Sequence, residues 1–240
     1  MRSLKSLRGQ TVLVYENTKL IEVIFTTSLR KLYSLHYIHT QSLKEEVVSL
    51  SRQELLNWAS ESLAFYQLDL SRISTVYLAQ VYALESHRIF DSFDLTHPIK
   101  VLEGSTNLDG TPPAKQFKHA PLTGLYKKHF TSARFIPQNL YNFQLSKFSD
   151  QYFQEALDEA SRRSSGYVDD AFTGYLVHQM TIPPIEMRNR ANRLTGEWVV
   201  FHRHEGRNYY LTLASHEEAN EAIHERVVLA CDFDKFPFKV

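Results

Sequence analysis

The sequence predicts an α+β protein, mostly helical through its N-terminal two-thirds and closed by a C-terminal antiparallel β-hairpin or small sheet covered by a helix. Three observations carry this prediction. Ser51 and Glu54 stand at capping-box spacing before a stretch in which Leu55, Leu56, Ala59, Leu63 and Tyr66 form an apolar stripe of helical period. Residues 198–204 and 208–213 are rich in aromatic and β-branched side chains, and Glu205-Gly206 between them suits a two-residue hairpin turn. Ser215 and Glu218 repeat the capping-box spacing before Ala219, Ile223, Val227 and Ala230, which share one helical face and can cover the sheet.

In chain order, residues 11–15 (TVLVY) read as a strand. Residues 20–25 (LIEVIF) fit either its hairpin partner across ENTK or the start of a helix continued by Leu29, Leu32, Tyr33 and Leu35. The first capping box predicts a helix over 51–67. Asp69 or Ser71 then caps a helix over 72–93, where Ile73, Val76, Tyr77, Gln80, Leu84 and Ile89 recur at intervals of three and four. Residues 96–131 contain His97-Pro98, Gly104, Asp109-Gly110, Pro112-Pro113, Pro121 and Gly124, a density of breakers that predicts a long loop. Ordered loops of that length are usually functional.

Beyond Pro137 a helix is predicted over 138–148, and another is capped by Ser149 or Asp150 and ended by Gly166. Asp169 and Asp170 open a third, which runs through Met180 and stops at Pro183-Pro184. As adjacent acids they serve the helix start better than a metal, since no third ligand stands at a recognisable spacing. Arg188, Arg190 and Arg193 lead to a turn at 192–196, and a helix over 216–231 follows the hairpin. The chain reads as a single domain, 1–240, subdivided into a helical region 1–95, a loop 96–133, helices 134–184 and a hairpin-helix unit 185–240.

Lys plus Arg and Asp plus Glu both number 27, so no global field draws in nucleic acid or an anionic membrane, and any such binding must come from a local patch. One patch stands out. From Gly110 to Ser149 there are six basic residues (Lys115, Lys118, Lys127, Lys128, Arg134 and Lys147), no acidic residue and seven aromatics. Cations interspersed with rings suit a groove that follows a phosphate backbone and stacks bases. The single cysteine, Cys231, excludes an intrachain disulfide and, on the apolar side of VVLACDF, reads as a buried inert thiol. No apolar run approaches the ~20 residues that span a bilayer, and MRSLKSLRGQ is not followed by a signal-peptide core. The expectation is a cytoplasmic, unprocessed protein with no membrane partner.

The hairpin is where chemistry and structure coincide. With Glu205-Gly206 as the loop, His204 stands opposite Arg207, His202 opposite Tyr209, Val200 opposite Leu211 and Trp198 opposite Leu213, all on one face. The base of that face is apolar. Its tip gathers two imidazoles, a guanidinium and a phenol, groups that can move a proton and hold an oxyanion or phosphate. His202 and His204 also share a face as metal ligands would, with His216 as a third, but no acidic residue completes the set, and no metal or cofactor is expected. The chain has no Gly-x-Ser-x-Gly elbow, phosphate-cradling glycine loop or dinucleotide fingerprint, which weighs against hydrolase, nucleoside-triphosphatase and dehydrogenase readings. Metal-independent acid/base chemistry on a phosphodiester remains. The expected catalytic residues are His202, His204, Arg207 and Tyr209, and the expected substrate contacts are Lys127, Lys128, His129 and Arg134.

In residue types, over 186–231 and GLYKKHF, the chain resembles the small RNA-cleaving toxin sheets of the barnase, EndoU, colicin and RelE type, which carry His, Lys, Arg and Tyr on a helix-backed terminal sheet. The resemblance implies an endoribonuclease-like toxin or defence protein with RNA as partner. The helical first half has no counterpart in it. The competing reading, from another class, is a non-catalytic antitoxin, immunity or adaptor protein that grips a protein partner through the basic aromatic loop.

Overall fold

The computed structural model describes residues 11–16, 19–24 and 47–240, with side chains from residue 50 onward. The architecture is α+β, with seven described α-helices and two sheets. Strand β1 (Thr11–Glu16) pairs antiparallel with β2 (Lys19–Ile24) and parallel with β3 (Val47–Ser51), so the open choice at 20–25 resolves as a hairpin strand. The helical continuation through Leu29 to Leu35, and His36 and His39, lie outside the described residues.

The chain forms two compact units: Met1–Thr106 with Ala114–Lys128 and Glu197–Val240, and Asn107–Pro113 with His129–Gly196. In the first, helix α1 (Arg52–Glu61) opens on the expected capping box, with both reciprocal Ser51–Glu54 bonds formed. It ends before the expected residue 67 because Ser62 turns to cap a 3₁₀ turn at Leu63–Phe65. The expected helix 72–93 is likewise divided. A 3₁₀ turn capped by Asp69 covers Leu70–Arg72; α2 (Thr75–Ser86) then starts from Ser74, whose Oγ accepts from the Tyr77 N–H at 2.9 Å. Arg88, at φ 54°, reverses the chain, and Asp91 caps α3 (Ser92–Leu102).

Helix α3 takes in His97-Pro98, so the breaker-rich loop begins only after Leu102. The physical reason is burial: Leu95, Thr96, Pro98 and Ile99 are all buried, and the fully buried Tyr77 hydroxyl donates to the Leu95 carbonyl at 2.6 Å. Tertiary contacts of this kind override a proline's local penalty.

A four-stranded sheet of order β4-β5-β6-β7 is built from β4 (Lys115–Gln116), β5 (Tyr126–His129), β6 (Trp198–His204) and β7 (Arg207–Ala214). Glu205 and Gly206 form the two-residue loop at φ 48° and 75°, the doubly positive backbone of a primed turn. His204↔Arg207 and His202↔Tyr209 pair as expected. Nearer the base a β-bulge shifts the register, so that Val200 faces Thr212 and Trp198 faces Ala214, in place of the expected Leu211 and Leu213. Helix α2 holds the bulge: Ser74 Oγ donates to the Leu211 carbonyl at 2.5 Å, and Gln80 Oε1 accepts from the Leu213 N–H at 2.7 Å. Ser74 also donates its N–H to the Tyr210 carbonyl, covering the outer edge of β7.

Helix α7 (Asn220–Asp234) covers the other face, where Trp198, Val200, Leu211 and Ala214 meet Ile223, Val227, Ala230 and Cys231. It begins after the expected residue 216. Glu218 does accept from the Ser215 N–H, but a second partner, Arg226, grips its carboxylate, so the box closes a turn before the helix. At the far end Asp234 accepts from the Thr75 N–H and hydroxyl and from Arg52 Nε, fastening α7 to the start of α2.

In the second unit, α4 (Ile136–Gln144) has Pro137 in its first turn and ends before the expected residue 148. Helix α5 (Ser149–Arg163) has no side-chain cap, because Ser149 Oγ donates instead to the Gln144 and Ser146 carbonyls. Asp169 caps α6 (Asp170–Arg190) by accepting from the Phe172 N–H at 2.8 Å, and this helix passes through Pro183-Pro184 without stopping. Pro183 has no N–H for the Gln179 carbonyl one turn earlier; the Tyr152 hydroxyl donates to that carbonyl at 3.0 Å instead. Gly196 closes the unit in a position where a Cβ would stand 1.8 Å from the Phe130 carbonyl oxygen.

Candidate functional site

Within the first unit the hairpin brings the four expected catalytic residues together. The alternation of β6 puts His202 and His204 on one face, their rings 6.5 Å apart and inclined by 27°, with Tyr209 and Arg207 as their cross-strand partners. The tip is not bare. Lys235, at φ 53°, ends α7 in the left-handed conformation, and the following segment returns over the hairpin. The Phe238 ring lies 4.3 Å from His202, 5.4 Å from His204 and 5.0 Å from Tyr209, and Phe236 lies 5.2 Å from Tyr209.

This cover has an electrostatic consequence. Burial, and secondarily the His204 imidazole, hold the His202 pKa below the ordinary imidazole value, so its ring is neutral at neutral pH. Its Nδ1 is buried and has no hydrogen-bond partner among the described residues, an arrangement that is uncommon in folded proteins. His204 Nε2 lies 3.8 Å from Glu205 Oε1, and Arg207 is exposed. The His216 ring lies 4.2 Å from the Trp198 ring, tilted by 52°, and among the described residues no three His, Cys, Asp or Glu side chains converge as metal ligands.

The expected substrate contacts are spread over both units. Lys127 and Lys128 belong to the first, His129 and Arg134 to the second. Alternation along β5 separates the two lysines: Lys128 is 1% exposed, whereas Lys127 sets its Nζ 3.5 Å over the Trp198 ring and 4.8 Å over Phe117. The His129 Nδ1 lies 3.0 Å from the Gly196 carbonyl oxygen, and Arg134 is exposed on a 3₁₀ turn capped by Ser132.

Sequence reasoning missed the surroundings of Lys127. Lys115 stands directly opposite it on β4, and a cleft of about 870 Å³ opens there between Lys115, Lys118, His119, Lys127, Phe117 and Trp198, with Asn220 at the first turn of α7. The alternation in KQFKH was the available signal, but a two-residue strand is too short to reveal which partner it meets. Cys231 is buried, and burial pushes its thiol up to about 12, so it is no nucleophile at neutral pH. No described helix is long and apolar enough to cross a membrane. No known protein family, curated protein or solved structure matches the chain.

Proposed function

We propose that this protein cleaves RNA by metal-independent acid/base chemistry at the hairpin tip, as a toxin or defence protein does. The observation that supports this reading is the juxtaposition of His202 and His204 beside Tyr209 and Arg207, with one imidazole kept neutral and its Nδ1 without a partner among the described residues. RNA cleavage needs a base for the 2′-hydroxyl, an acid for the leaving oxygen and a cation for the non-bridging oxygens. The neutral His202 fits the base, His204 the acid and Arg207 the cation, with Tyr209 positioned to hydrogen-bond the phosphate. Phe238 covers both imidazole faces, so the substrate must displace the 236–238 segment.

The test is incubation of the purified protein with total RNA and with single-stranded DNA, with and without EDTA, beside His202→Ala/His204→Ala and Phe238→Ala proteins. The expected outcome is chelator-resistant cleavage of RNA alone, absent in the double variant and faster in Phe238→Ala. Folded wild-type protein that leaves RNA intact, together with an equally inert Phe238→Ala protein, rejects the reading.

A second reading, adaptor-type binding of a protein partner, is favoured by one feature of the second unit. Tyr141 on α4, Leu145 at its C-cap and Phe148 at the start of α5 are 55%, 68% and 63% exposed, apolar side chains gathered around the turn between the two helices. Binding through these side chains should persist at high salt and be lost in Leu145→Asp, whereas phosphate binding through lysines weakens steeply with salt.

A further inference from the structure

The structure assigns a second site to the first unit: we infer that the cleft between β4, β5 and the start of β6 binds a nucleotide, its phosphate on Lys115, Lys118 and Lys127 and its base against the Phe117–Trp198 wall. The inference holds whether or not the hairpin tip cleaves RNA.

Three features argue for it. Lys115 and Lys127 are cross-strand partners, an arrangement in which like charges repel, and among the described residues no carboxylate lines the cleft to balance them. Burial, and secondarily Lys115, hold the Lys127 ammonium below the ordinary lysine range, as expected of a cation kept in a partly desolvated place beside a like charge. A concave surface with unbalanced positive charge is complementary to an anion.

The rest of the lining decides which anion. Phe117 and Trp198 meet edge to face with centroids 5.7 Å apart, and the lining is mainly apolar, which inorganic phosphate would not need. A volume of about 870 Å³ admits a ligand of nucleotide size. The Lys127 ammonium lies against the Trp198 face, itself a favourable cation–π contact. Its four-carbon stem lets it swing to a phosphate, freeing the ring face for a base, which is also a π-system.

Both free nucleotides and single-stranded nucleic acid present this chemistry, and the experiment separates them. Trp58, the other tryptophan, sits among Phe65 and Tyr82, so a Trp58→Phe protein reports Trp198 fluorescence alone. That protein is titrated at low salt with adenosine diphosphate, an eight-nucleotide oligoadenylate, adenosine and inorganic phosphate. The expected result is saturable quenching by the diphosphate or the oligonucleotide, with adenosine and phosphate each at least tenfold weaker. An oligonucleotide that binds more than tenfold tighter than the diphosphate identifies a strand-binding groove; comparable affinities identify a nucleotide pocket.

Lys115→Gln/Lys118→Gln, at two exposed positions, should weaken binding at least tenfold and reduce the salt slope by about two charges. His202→Ala/His204→Ala should bind the diphosphate, which carries no scissile RNA linkage, like its parent, which separates this site from the cleavage reading. The inference is overturned by no saturable quenching up to millimolar ligand, by phosphate binding as tightly as the diphosphate, or by unchanged affinity in the double lysine variant.

Discussion

At the scale of single residues, two titratable groups in the first unit give stability opposite dependences on pH. Glu197 is raised from 4.5 to about 7, chiefly by burial and further by Glu217 and Glu218, against the His216 N–H that donates to it at 2.6 Å. Between those values the folded chain keeps a proton that the unfolded chain has released, so this group lowers stability as pH rises through the window. His202 works the other way. Its folded pKa is depressed, so its contribution is present above the unfolded value of about 6.5 and is lost as pH falls below it. Urea midpoints at pH 5, 6 and 7.5 should therefore separate the variants: Glu197→Gln gains on wild type as pH rises, and His202→Gln gains as pH falls. Parallel profiles for all three proteins would show that neither group is coupled to folding. The composition of HRHEGRNYY marked the hairpin as a place for proton chemistry, but nothing in the sequence announced that Phe238, more than thirty residues along, would cover it.

At the scale of elements, the readable signals were those with local causes. Capping by Ser51 and Asp169, the primed turn at Glu205-Gly206 and the pairing of His202 with Tyr209 each follow from chemistry within a few residues. Misreadings came where a distant side chain supplied what the local sequence lacked. Ser74 and Gln80 satisfy the bulge that shifts the lower hairpin register, and Tyr152 satisfies the carbonyl that Pro183 leaves open, 27 residues from its partner Gln179. The same logic explains the cleft, which needs β4 beside β5 and Trp198 beneath Lys127 before its three lysines share a place. Tyr152→Phe tests the proline account directly. Removing the hydroxyl should cost about 1 kcal/mol, read as a lower thermal midpoint in far-ultraviolet circular dichroism. An unchanged midpoint would mean that the Gln179 carbonyl finds another donor.

At the scale of the whole molecule, each of the two units has a core of its own. Val200, Leu211 and Val227 centre the first, and Phe143, Ala156 and Ala160 are buried in the second. Both tryptophans, Trp58 and Trp198, fall in the first unit, so intrinsic tryptophan fluorescence reports that unit alone, while circular dichroism reports the helices of both. Phe143 is 6% exposed and meets Tyr152 and Phe153 edge-on at 5.4 and 6.2 Å, so Phe143→Ala opens a cavity between α4 and α5. A truncation of this kind costs about 3–5 kcal/mol, a large share of what holds together a unit of this size. If the two cores unfold separately, Phe143→Ala should lower the midpoint of part of the dichroism transition and leave the tryptophan fluorescence transition in place. Leu211→Ala, fully buried in the first core, should do the reverse. A fluorescence midpoint that falls in step with the dichroism midpoint in Phe143→Ala would show instead that the chain melts as one cooperative structure, so that a mutation in the helical unit could silence the hairpin and the cleft without touching either.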